Sequence, residues 1–263
     1  MIEILLMLLV GSILFKYSLL ISYRSDIGFK KAFIDLGFYT KFPKYYLFPI
    51  IGSLIALIGS IKHKKIKHLV ALISELLITT CILTLYHQYG LTYDLLFKSL
   101  WILVFFSLAL IDLNNRRLPN YLLFPLIYIL LFIMPFWNII GYERGIFDLN
   151  GYMGSIINTG FTSICLVLFW AGIYYGYPGS IGGGDIKLIA VIGLLFGFPD
   201  AVIVVYLAIM AGGGFSAIKM ILSKNIRSVS IPFGTVLSFA SVFVIIYHNE
   251  LSQGYDFIAQ RLI

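Results

Sequence analysis

Long runs of apolar residues recur along this chain, most of them about as long as a helix crossing a lipid bilayer. They fall near residues 2–23, 67–86, 95–113, 120–140, 153–176, 201–222 and 229–247, and a helix needs about 20 such residues to span the hydrocarbon core. A shorter run covers 186–198, and another, 45–61, lies between two basic loops. Inside lipid every backbone amide must find its partner within the protein, so runs of this length are solved by the α-helix. Composition agrees, because 60% of the residues are hydrophobic and 12% charged, a balance foreign to a soluble domain of this size. The expectation is an all-α polytopic membrane protein, with the lipid bilayer as its principal surroundings.

The first run, Ile2 to Tyr23, carries Glu3 and no cation ahead of its apolar stretch, is interrupted by Lys16 and has no small-residue cleavage site after it. It therefore reads as a retained anchor, not a secretory leader. Cations assign the loops. Arg24, Lys30, Lys31, Lys41 and Lys44 mark one cytoplasmic connection, and Lys62, Lys64, Lys65 and Lys67 mark the next. Arg116-Arg117 and Lys224 with Arg227 mark two more. The connections 87–94, 141–152 and 198–200 hold Asp94, Glu143, Asp148 and Asp200 against the single cation Arg144, and belong outside. Flanked by two cytoplasmic loops, the run at 45–61 must be re-entrant or interfacial. Threading the rest gives about eight transmembrane helices, with the N and C termini on the outer, non-cytoplasmic side. The 186–198 run is counted among the eight, although as a helix it measures only about 20 Å.

These loops absorb the net charge of +7, so no nucleic-acid partner is needed to explain it. Cys81 and Cys165 both sit inside apolar runs and read as packing residues, not as a disulfide or metal site. The residues Gly212-Gly213-Gly214 within the 201–222 run have no acid beside them and read as a site of close helix packing.

Two carboxylates stand out. Asp185 follows Gly182, Gly183 and Gly184 at the mouth of the 186–198 run, and Asp112 closes the 95–113 run just before Leu113-Asn114-Asn115-Arg116-Arg117. In the threaded topology Asp112 ends an inward helix and Asp185 begins an outward one, which puts both at the cytoplasmic boundary. Acids at such a depth are functional candidates. Two carboxyl groups held close share one proton, so that the ionised member accepts a proton from water while the other protonates a scissile carbonyl or a leaving amine. Each also has an ordinary structural reading: Asp185 as the N-cap of the next helix, Asp112 as an interfacial residue beside Arg116.

The glycines suit a substrate-positioning loop, since a backbone without Cβ atoms lets an extended peptide pair along it. Lys187, two residues on, would either orient a substrate carboxylate and act on the pair, or reach to the headgroups. Lys16 and Glu75 are the charges deepest in the apolar runs, about 10 to 12 Å from the cytoplasmic ends of their segments at the usual helical rise. Their mutual pairing would offset burial.

Taken together, Ile111-Asp112-Leu113, Leu118-Pro119-Asn120, Leu123-Phe124-Pro125-Leu126, Gly182-Gly183-Gly184-Asp185-Ile186-Lys187-Leu188 and Ile231-Pro232-Phe233-Gly234 resemble the type IV prepilin peptidases, membrane aspartyl proteases of the GxGD type. The resemblance covers about residues 70 to 245. It implies that Asp112 and Asp185 are the catalytic dyad, that the substrates are prepilins or pseudopilins with a basic leader, and that cleavage takes place at the cytoplasmic face of the inner membrane. It also implies a division into an N-terminal region over 1–90, a peptidase domain over 91–250 and a tail over 251–263.

Bacterial members often add two CxxC pairs and methylate the new N-terminus with S-adenosylmethionine. Here the loop between 24 and 67 has no cysteine, and His63 and His68 are too few for zinc. Glu75 and Lys16 fall in the corresponding methylation region, as part of it or as a structural ion pair, and S-adenosylmethionine is a cofactor only if that activity is present. Proteolysis itself needs no cofactor. A transporter or channel, with the glycine-rich break and the acids coordinating an ion or substrate, is the rival from another class. An anion site at the glycine turn is disfavoured by Asp185 itself.

Overall fold

The computed structural model describes residues 66–136, 151–177, 179, 181–223 and 232–254. Among these residues the secondary structure is helical throughout, without strands, as the apolar runs require. The helices are α1 (Ile66–Tyr89), α2 (Tyr93–Asn115), α3 (Asn120–Ile133), α4 (Gly151–Gly176), α5 (Gly183–Phe196), α6 (Asp200–Ser223), α7 (Phe233–Ile246) and α8 (His248–Gly254). Three of the described helices are long and apolar enough to cross a membrane, over Tyr93–Leu113, Tyr152–Gly176 and Asp200–Ile221. A fourth is added if α7 and α8, bent by 77° at their junction, form one broken span. The anchor at 2–23, the run at 45–61, Lys16 and most of the cation-bearing loops lie outside the described residues.

The chain divides into two compact units, one ending at Ile111 and the other beginning at Asp112. In the first, α1 stops at Tyr89 because Gly90 takes a positive φ of 62° and returns its N–H to the Tyr86 carbonyl at 2.9 Å, a left-handed helix stop that glycine adopts without strain. Ile78, Ile82, Leu85, Leu95, Ile102 and Phe105 form its buried apolar surface. Lys98 is buried near the start of α2 with its ammonium 3.5 Å from the centre of the Tyr89 ring. That contact supplies electron density to a charge held away from water.

In the second unit α5 is the central element, packed on α3, α4, α6 and α7. Leu188, Ile189, Val191, Ile192, Gly193, Leu194, Leu195 and Phe196 are all buried. Its 14 residues reach about 21 Å, less than the hydrocarbon thickness of about 30 Å. A helix sheathed by protein on all sides does not have to match the bilayer. Close packing comes from Gly193, where an added Cβ would lie 2.5 Å from the Ser163 Cα of α4. At that contact Ser163 Oγ donates to the Ala190 carbonyl at 3.1 Å. Gly212 faces α7, with Phe233 and Val236 side-chain atoms 3.9 and 4.0 Å from where its Cβ would be, whereas Gly213 and Gly214 meet nothing within 4 Å.

The turn from α5 into α6 is held by Asn158 of α4. Its Oδ1 accepts the Phe198 N–H at 2.7 Å, its Nδ2 donates to the Phe198 carbonyl at 3.0 Å, and Thr162 Oγ1 donates to the same Oδ1 at 3.3 Å. Gly197 makes the bend with φ 65°. Beyond it, Asp200 is buried at the start of α6 with its carboxylate 2.9 Å from His248 Nδ1. One boundary differs from the apolar pattern. The run 120–140 predicts a longer helix, but α3 ends at Ile133 and a single 3₁₀ turn, Met134–Phe136, follows. Pro135, with no N–H to donate, is the local reason.

Candidate active site

Asp112 lies in the last turn of α2 and is 4% exposed. The helix stops three residues later, where Arg116 adopts a left-handed φ of 49° and donates its N–H to the Asp112 carbonyl at 2.8 Å. The chain then turns through Leu118-Pro119 into α3. The Asp112 carboxylate points at another helix. Its Oδ2 accepts the backbone N–H of Thr235 at 2.7 Å and the Thr235 hydroxyl at 3.0 Å.

Thr235 is the third residue of α7, a helix whose N-cap, Pro232, makes no side-chain cap. The first N–H groups of a helix lack partners within it. Asp112 therefore caps α7 from across the unit.

Asp185 is the third residue of α5, and Gly182 is the N-cap. The Gly182 N–H donates to Asp185 Oδ2 at 3.3 Å, the returning half of a capping box; glycine has no side chain to supply the other half. Gly183 and Gly184 thus belong to the first turn of the helix, with Gly182 alone at its threshold. The reason for glycine at 184 is steric, since an added Cβ would lie 3.0 Å from Leu118 Cβ and 3.4 Å from the Leu118 carbonyl oxygen.

Gly234 brings the two carboxylates together. A Cβ built on it would be 3.0 Å from Asp112 Oδ2, 3.0 Å from Asp185 Oδ1 and 2.8 Å from Leu118 Cδ1. The two oxygens are therefore no more than about 6 Å apart, within the range over which two like charges disfavour simultaneous ionisation. Each carboxylate sits at a helix N-terminus, Asp112 at that of α7 and Asp185 at that of its own α5, where the peptide dipoles favour negative charge. A pair able to share a proton, here with Asp112 buried and Asp185 half-buried, can run acid and base catalysis from one place.

The other residues singled out in the sequence are placed differently. Lys187 donates to Asn120 Oδ1 at 2.6 Å and lies 4.9 Å from the centre of the Phe124 ring, so it ties α5 to α3. Glu75 lies on α1 with its side chain outside what is described, and its partner in the proposed pairing, Lys16, lies outside as well. Among the described residues no three His, Cys, Asp or Glu side chains come together as a metal site. Most of the loop in which zinc was considered, up to Lys65, is not among them. Sequence reasoning missed Thr235 and the wedge Leu118, and gave Gly234 no role. The available signal was Pro232 followed by Phe233-Gly234-Thr235 ahead of an apolar run, which reads as a helix start.

An all-helical membrane protein that holds two aspartates from separate helices against one buried glycine belongs to the class with paired carboxylates, which can share a proton. Within that class, residues 99–217 match the type IV leader peptidase family, and this stretch, which contains both aspartates, belongs to it.

The chain is 31% identical over 190 residues to the prepilin leader peptidase/N-methyltransferase of Aeromonas hydrophila, covering 71% of this chain and 60% of that relative. It is 29% identical over 189 residues to the protein of the same name from Aeromonas salmonicida, covering 71% and 60%. The likeness to the Bacillus subtilis protein of that name is 24% over 170 residues, covering 64% and 62%. The chain thus spans about three fifths of the length of these relatives. No solved structure matches it significantly.

Proposed function

We propose that the chain is an aspartic endopeptidase that removes the basic leader of type IV prepilins or pseudopilins at the cytoplasmic face of the inner membrane. The observation that carries this reading is the convergence of Asp112 and Asp185 on Gly234. With one proton between them, the ionised carboxylate takes a proton from a water molecule whose oxygen attacks the scissile carbonyl. The protonated carboxyl gives its proton to the carbonyl oxygen, and the proton taken from the water then passes to the leaving amine. No side chain becomes covalently attached. Water is the only co-reactant, so the reaction needs neither a metal nor S-adenosylmethionine; methyl transfer, named for the relatives, is not part of the proposal.

The proposed topology has about eight crossings with both termini outside. It follows from the cationic loops, and Arg116 and Arg117, immediately beyond Asp112, are the part of that pattern nearest the pair. A leader rich in cations stays in the cytoplasm while the hydrophobic helix behind it enters the bilayer. The junction between the two is therefore presented at the boundary where α2 ends and α5 begins.

The test is cleavage of a leader-bearing prepilin by the purified full chain and by Asp112→Asn and Asp185→Asn made separately. Each substitution is expected to lower the rate by at least about 10³-fold, because the general acid–base function is lost outright. Retained cleavage by either variant would overturn the assignment. A transporter that used the same acids for a cation would leave the leader uncut in the wild type as well.

A further inference from the structure

We infer that Thr235 is a positioning residue that makes the two aspartates unequal, holding Asp112 as the carboxylate that accepts the proton of the attacking water and leaving Asp185 as the acid. This rests on the dyad proposed above and deepens it.

The inequality is in the hydrogen bonds. Oδ2 of Asp112 faces two donors on one residue, the Thr235 N–H at 2.7 Å and the Thr235 hydroxyl at 3.0 Å. An amide N–H can only donate, so this oxygen is fixed as an acceptor and cannot carry the shared proton towards it. A hydroxyl beside an oxygen already fixed in that way donates too. Donors aimed at a buried carboxylate strengthen as its negative charge grows. The N–H belongs to the first turn of α7, whose dipole acts in the same sense. Among the described residues Asp185 has a single longer donor, the Gly182 N–H at 3.3 Å, and this falls on Oδ2. Its Oδ1, the oxygen facing Gly234, receives no such pair from the described residues.

The shared proton therefore resides on Asp185. The cycle balances without another reactant. Asp112 takes a proton as the water oxygen bonds to the carbonyl carbon, and Asp185 gives its proton to the carbonyl oxygen. When the C–N bond breaks, the proton held by Asp112 passes to the amine, and the hydroxyl of the diol returns one to Asp185.

The geometry separates the two donors experimentally. Substitution of the side chain removes the hydroxyl while the backbone N–H stays. Thr235→Val keeps the shape and loses one donor, and Thr235→Ser keeps the donor and loses a methyl group. With the full chain in detergent and a leader-bearing prepilin as substrate, at equal folded concentrations set by thermal unfolding, Thr235→Val is expected to lower kcat about 10- to 100-fold. KM should stay within about twofold, because the bond acts on the reacting pair and not on substrate docking. Thr235→Ser is expected to recover kcat to within about threefold of wild type.

The inference is overturned if Thr235→Val keeps its kcat, if its loss appears only in KM, or if Thr235→Ser falls as far as Thr235→Val. In each of those cases inactive Asp112→Asn and Asp185→Asn variants would leave the dyad standing. Cleavage by either aspartate variant would instead remove the dyad itself.

Discussion

At Gly234 the consequence of adding one methyl group follows from three distances. The Cβ would stand 3.0 Å from an oxygen of each aspartate and 2.8 Å from Leu118 Cδ1. Leu118 presents the far end of a flexible side chain and can yield, but Asp112 Oδ2 is also held by both donors of the adjacent Thr235 and cannot move without breaking them. Gly234→Ala is therefore expected to spread the carboxylates while leaving each in place on its helix. Misplacement of reacting groups by about 1 Å costs on the order of 100-fold in rate. The expected outcome is at least that loss of prepilin cleavage in a variant that unfolds at a temperature near that of wild type. A variant as active as wild type would mean that the pair does not work in the arrangement found around Gly234.

The same reasoning moves up one level at the contact between α4 and α5. An added Cβ on Gly193 would meet Ser163 Cα at 2.5 Å, Ser163 Cβ at 2.9 Å and Ser163 N at 3.0 Å. Two of these are backbone atoms, so relief requires the helices to separate. Gly193→Ala is expected to destabilise the protein by about 1–3 kcal/mol, as overpacking of a tight interior does, and to lower the unfolding temperature measured in detergent. An unchanged unfolding temperature would show that α4 and α5 do not meet this closely.

What could be read from the sequence at this scale follows what apolar runs encode. The run 186–198 and the helix Gly183–Phe196 nearly coincide, because burial on every side leaves an unbroken apolar stretch. Asp112 and Asp185 were legible since an acid is conspicuous among such residues. Thr235 was not, because a threonine near a helix start is ordinary in any sequence, and its partner is 123 positions away. Lys187 was legible as a charge but not as the donor to Asn120, for the same reason. The end of α3 was missed because hydropathy continued past Pro135, where the hydrogen-bond ladder does not.

For the whole molecule the decisive question is which side of the membrane the pair occupies. A dyad on the outer face would never meet a basic leader retained in the cytoplasm, whatever its chemistry. The charge of the loops argues for the inner face: Arg116 and Arg117 lie just past Asp112, whereas the first turn of α2 carries Asp94 and the connection before it no lysine or arginine. Tyr93, 89% exposed at the opposite end of α2, offers a reporter for that side, and exposed Arg117 offers one for the other. In a background with Cys81→Ser and Cys165→Ser, Tyr93→Cys is expected to react with a membrane-impermeant maleimide on intact cells. Arg117→Cys is expected to react only after the membrane is opened. The reverse pattern would place the dyad outside and end the leader-peptidase reading. Reaction of both residues on intact cells would mean that α2, despite the length and hydropathy of Tyr93–Leu113, does not cross the bilayer, and the threaded topology would fall with it.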